Sequence, residues 1–165
     1  MSWGQADSER RLANVVRVAT ITRVDPAKGR AKVSFGGEGE SAWLPFPSAR
    51  AGQVQVWSPP SEGEQVIVAS PSGDTAQGLI VASYPSQHAP APSGDSGVYV
   101  INIGECRIEA TADGITLSVG EVSMSITGGG VSMKNGSVDH NGKNIGHDHV
   151  HGGVSQGGST TQGPQ

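Results

Sequence analysis

The chain has 165 residues, 35% of them hydrophobic, and a net charge of −4, which gives room for one ordinary domain or two small ones. There is no block of clustered Lys and Arg to displace counterions, which weakens a nucleic-acid reading, and no nucleic-acid partner is expected. The single cysteine, Cys106, excludes both an intrachain disulfide framework and a cysteine-based zinc cluster, and reads as a small residue buried in a strand. No stretch approaches the roughly 18 apolar residues of a membrane span. The start, Met1-Ser2-Trp3-Gly4-Gln5, lacks the charged-then-apolar pattern of a signal peptide, so folding in a cytoplasm is expected.

Residues 1–13 are polar, with a short helix expected over Ser8-Glu9-Arg10-Arg11-Leu12. From 14 to 86 the signal is β. Strands are expected at Val15–Ile21, Ala31–Phe35, Ser41–Phe46, Gln53–Trp57, Gln65–Ala69 and Gln77–Tyr84. Asp25-Pro26-Ala27-Lys28-Gly29-Arg30 is a turn, because Pro presets φ and Gly supplies the left-handed position. Short strands with turn signals at this spacing predict a small antiparallel barrel, best matched in size by a five-stranded OB-type barrel. All seven aromatic residues lie at or before Tyr99, so this half can fill a globular core, and its aromatics read as core positions.

Residues 87–96 read as a Pro-rich, extended linker. From 97 to 140 the pattern changes to short bursts of alternation separated by glycines. Apolar residues fall at Val98 and Val100, at Cys106 and Ile108, at Ile115, Leu117 and Val119, at Val122, Met124 and Ile126, at Val131 and Met133, and at Val138. Each strand then has one apolar face of two or three side chains. An isolated meander this thin would have a poor core and exposed edges. An intertwined three-chain β-helix, in which each chain supplies one wall and the apolar faces meet on the axis, answers that problem.

Residues 141–165 hold the densest chemistry. His147, His149 and His151 occupy every second position, and in an extended strand all three face one way, roughly 7 Å apart. One such row is a weak metal site. Several copies around an axis would make it stacked rings of imidazoles, which suit iron, zinc, copper and nickel alike. The Gly-rich end after Gly152-Gly153 reads by composition as a disordered tail, although those glycines could reverse the chain and run it back along the tip.

Three stretches resemble one family. They are Trp57-Ser58-Pro59-Pro60-Ser61-Glu62-Gly63-Glu64-Gln65-Val66 followed by Ser70-Pro71-Ser72-Gly73-Asp74, the glycine-punctuated alternation from Gly97, and Asn141-Gly142-Lys143-Asn144-Ile145-Gly146 followed by His149-Val150-His151-Gly152-Gly153. The family is the baseplate assembly protein V, or central tail spike, of contractile-tailed phages, with type VI secretion spikes as more distant relatives. The resemblance implies an all-β homotrimer: an N-terminal OB-type barrel on the tail hub, then an intertwined trimeric β-helix with a metal-bound C-terminal tip. It implies one iron ion per trimer, held by six histidine nitrogens from His149 and His151 of each chain. His147 departs from the family pattern and reads as a solvated residue or a secondary site, and Asp148 as a hydrogen-bonding partner of a ligand imidazole. The implied role is non-enzymatic: the tip of a tail baseplate, assembled in the host cytoplasm, that pierces the host outer membrane. The alternative is an OB-fold binding module for an oligonucleotide or a saccharide on a β-stalk.

Overall fold

The computed structural model describes residues 3–147, 149–150, 152–153 and 157–158. Its first unit runs to Ala91 and its second begins at Pro92. The first opens with α1 (Trp3–Asn14), longer than the sequence predicts. Asp7 explains part of the extension, pairing with Arg10 at 2.6 Å and Arg11 at 2.8 Å one helical turn on. The helix ends at Asn14, and the chain enters β1 (Val16–Asp25), turns through Pro26–Gly29 and returns as β2 (Arg30–Ser34).

β3 is only Leu44–Pro45, shorter than the expected Ser41–Phe46. Proline cannot donate to a ladder, and Pro45 and Pro47 end the pairing. The Gln53–Trp57 stretch also behaves differently from expectation. It does not join the barrel; β4 (Arg50–Ala51) and β5 (Gln55–Val56) pair with each other in a separate small hairpin. β6 (Gln65–Ala69) and β7 (Leu79–Tyr84) complete a five-stranded sheet ordered β3-β2-β1-β6-β7. Bulges at Ile21/Arg23 and Ile67/Val68 bend the sheet, and β3 comes back towards β7.

Alternation along these strands sends Ala19, Ile21, Ala31, Val33, Leu44, Val66, Val68 and Ile80 inward, where they form a core with Phe46. The aromatic expectation needs correction here. Phe46 is buried, but Trp43 is 39% and Trp57 56% exposed. Trp57 covers the core from outside, its ring centroid 5.4 Å from that of Phe46.

Gly73 fixes the helix to this unit. It has φ +71°, and a Cβ there would lie 2.1 Å from the Arg11 carbonyl oxygen. An alanine would be strained by its backbone and would collide with backbone that has no rotamer to yield. Gly73→Ala is expected to cost about 2–4 kcal/mol from the two effects together, read as a lower denaturant midpoint with α1 more quickly cleaved by protease.

The second unit is a single-layer antiparallel meander. β8 (Tyr99–Ile103), β9 (Cys106–Thr111), β10 (Gly114–Val119), β11 (Val122–Thr127) and β12 (Gly130–Lys134) lie side by side in sequence order. Gly104 (φ +58°) and Gly120 (φ +57°) open the two-residue turns of the β8–β9 and β10–β11 hairpins, where a positive φ matches the strand twist. After β12 comes a small hairpin, β13 (Asp139–His140) and β14 (Lys143–Asn144).

Candidate metal centre and uncovered sheet face

The register of the meander sorts its side chains into two faces. Ile101, Ile108, Leu117, Met124 and Met133 stand in one cross-strand row. Tyr99, Ala110, Ile115, Ile126 and Val131 form the row on one side of it, and Ile103, Cys106, Val119 and Val122 the row on the other. The opposite face carries Arg107, Glu109, Thr116, Ser118, Ser123, Ser125 and Ser132, with Arg107 bound to Glu109 and Asn102.

The sequence misplaced β8 by one residue. Val98 and Val100 were expected on the apolar face, but Val100 stands opposite Glu109 on the polar one, and Tyr99, Ile101 and Ile103 take the apolar side. All of Val98–Ile103 except Asn102 is apolar or aromatic. Alternation within that run has no direction of its own, and only pairing with Ile108 and Cys106 reveals it.

The apolar face has nothing within the meander to lie against. Ten of its side chains, from Tyr99 to Met133, are between 38% and 70% exposed. Near β12 the face is concave: Gly136 comes so close to β11 that a Cβ would lie 2.9 Å from Val122 Cγ1. A hollow of about 240 Å³ opens there, lined by Cys106, Leu117, Val119, Met124, Met133 and Val138.

The histidine segment follows β14. Asn141 (φ +52°) and Gly142 (φ +73°) make the tight turn between β13 and β14, the left-handed pair that an Asn-Gly dipeptide adopts most readily. The Ile145 amide donates to the Val138 carbonyl at 2.8 Å, and the Gly146 amide donates to Asn144 Oδ1 at 2.7 Å. The His149 amide then donates to the Gly146 carbonyl at 3.2 Å. An extended strand makes no such bond within itself, and the rest of the strand expected through His147, His149 and His151 includes Asp148 and His151, which lie outside the described residues.

The same carbonyl also orients the His149 ring. Its Nδ1 lies 2.6 Å from the Gly146 carbonyl oxygen, an acceptor only, so Nδ1 carries the proton and donates. That tautomer places the imidazole lone pair on Nε2, the arrangement a metal-binding histidine takes when a backbone carbonyl fixes its other nitrogen. The donor chemistry of His149 thus fits a metal ligand. His147 is exposed and lines a hollow with Met133, Asn135, Ser137, Val138 and Gly146. His140 stands opposite Lys143 in the hairpin, and His88 is exposed in the first unit. His151 and Asp148 lie outside the described residues. Among the described residues, no three His, Cys, Asp or Glu side chains come together.

Comparison with known proteins bears on the first unit. Residues 17–84, from β1 to the end of β7, match the type VI secretion system/phage-baseplate injector OB domain. The chain is also similar to the spike protein of Escherichia phage P2, at 33% identity over 84 residues. That match covers 51% of this chain and 39% of the relative, so the chain spans well under half of the relative's length. Residues 17–84 thus form an OB domain similar to that of phage-baseplate and type VI secretion injectors, and the chain shares part of its length with a phage tail spike.

Proposed function

We propose that the chain is the structural central spike of a contractile tail baseplate, acting as a homotrimer whose metal-bound tip pierces the host outer membrane. The observation that carries this reading is the uncovered apolar face of the meander. Ten side chains at about half exposure leave on the order of 800 Å² of apolar surface. That exceeds what a typical monomer shows, and it is about one partner's share of a standard interface. In the proposal each meander is one wall of a three-sided β-helical prism, with the apolar rows turned to the axis and the Ser/Thr/Arg/Glu face to solvent.

A prism that simply ends leaves backbone groups unpaired and strands free to fray. The proposed tip closes it with His149 and His151 of each chain, six imidazoles around one iron. His147 is left to solvent or to a second, weaker ring. Asp148 takes the role of hydrogen-bonding a ligand imidazole in this proposal. Six filled positions leave none for water or substrate, so the metal's contribution is mechanical: it ties three chains at one point. The OB domain is the attachment to the tail hub, in keeping with the injector domain it matches. The chain would be assembled in the host cytoplasm and carried in the virion tail.

Metal analysis tests the tip. Purified protein is expected to hold one iron per three chains. A metal-free trimer whose C-terminal segment resists protease would overturn the site.

A further inference from the structure

The outer face of the barrel at β1, β2 and β3 carries a constellation for which the spike reading has no use. Ile21, Ala31, Val33 and Leu44 take the inner positions, so Arg23, Arg30, Lys32 and Trp43 stand on the outside. Arg23 is the cross-strand neighbour of Lys32, and Asp25 of Arg30. Glu40 bridges the first pair, with Oε1 3.1 Å from Arg23 Nε and Oε2 3.2 Å from Lys32 Nζ. Burial raises the Glu40 carboxyl, but its interactions with Lys32, Thr22 and Arg23 together outweigh that and hold it below its ordinary value, as an ionised acceptor. Arg30 Nη1 donates to the Trp43 carbonyl at 2.9 Å, and Lys32 Nζ lies 5.6 Å from the Trp43 ring centroid. At the turn, Lys28 pairs with Asp25 at 2.8 Å. A 39% exposed tryptophan is thus surrounded by donors and acceptors already fixed by one another.

We infer that this face, centred on Trp43, binds a hydroxyl-rich oligosaccharide. A pyranose has an apolar C–H face and a rim of hydroxyls, each both donor and acceptor. Trp43 offers a flat apolar ring for the C–H face. Glu40 accepts, and Arg23, Arg30 and Lys32 donate, in an array that its ion pairs have ordered before any ligand arrives. In OB barrels the surface of the second and third strands is where saccharides and oligonucleotides are held. Here it favours the saccharide. A single strand of nucleic acid needs several rings for successive bases and cations not shared with carboxylates. This face has one ring, and Asp25 and Glu40 stand among its cations. Trp57 lies elsewhere, against Phe46 and beside Gly29, and serves as an internal control.

The test applies the full chain to an array of neutral and acidic oligosaccharides, then titrates the best-bound sugar by tryptophan fluorescence. Binding to a subset of the sugars is expected. Trp43→Ala should weaken it at least about tenfold, the loss that follows removal of one stacking ring. Trp43→Tyr, which keeps a ring and guards against a folding defect, should retain most of it, and Trp57→Ala should bind as the parent does. The inference is overturned if no sugar on the array is bound, if Trp43→Ala binds unchanged, or if short oligo(dT) is bound more tightly than any sugar. None of these readouts involves the trimer or the metal, so the spike reading can fail or stand separately.

Discussion

Leu117→Asp is expected to abolish the trimer. Leu117 sits in the central row of the apolar face, between Ile108 and Met124. In the proposed prism that row lies on the axis. A carboxylate there has no cation within the apolar rows, and an unpaired buried charge costs about 3–5 kcal/mol. The cost recurs in each of three chains, so a trimer would lose on the order of 10 kcal/mol, comparable to its whole expected stability. The variant should run as a monomer or aggregate, while the OB domain keeps its β circular dichroism. Two paired controls make the result specific to the face. Ser118→Asp, one residue along on the polar side, should leave the mass unchanged. Ile101→Asp should disrupt the trimer and Val100→Asp should not, which tests the β8 register directly.

The second large effect belongs to the tip. Changing both His149 and His151 to alanine should reduce the iron content from one per three chains to background. It should also make the segment after the β13–β14 hairpin rapidly cleavable, yet leave the mass in solution unchanged. The separation follows from two independent sources of assembly: apolar burial along the meander, and ligation at its end. A single His147→Ala change should leave the iron content as it was. If iron disappeared with His147 and persisted in the double variant, the ligand assignment would be reversed.

Much of the fold was legible because its signals were local. The Asp25–Arg30 turn carries Pro and Gly at the positions that demand them, and β6 was bounded at Gln65 and Ala69 by turn residues on both sides. Along β9–β12 the glycines mark each corner and the alternation is strict, so the apolar face could be written down residue by residue. The errors share one cause: each depended on a partner strand. The β8 run is apolar on both sides, so pairing with β9 alone chose its face. The Gln53–Trp57 alternation suits a barrel strand equally well, but it is spent on a local hairpin with Arg50–Ala51. The exposure of Trp43 was hidden because tryptophan on a strand reads as core unless its parity relative to Leu44 is known.

The histidine site divides in the same way. The row His147, His149 and His151 stood out by spacing, and only the family resemblance singled out His149 and His151 within it. The two hydrogen bonds between His149 and the Gly146 carbonyl, which orient the His149 ring, are contacts that alternation does not encode. The proposed ligation by six imidazoles, moreover, would be a property of three chains, and no reading of one chain contains the axis.

The mass of the protein in solution tests the central claim most directly. Light scattering on the purified chain should give about 50 kDa, three times the 16.8 kDa of one chain, and hold that value on dilution. A stable monomer near 16.8 kDa would mean that the apolar face of β8–β12 is not the wall of a three-chain prism, and would contradict the account.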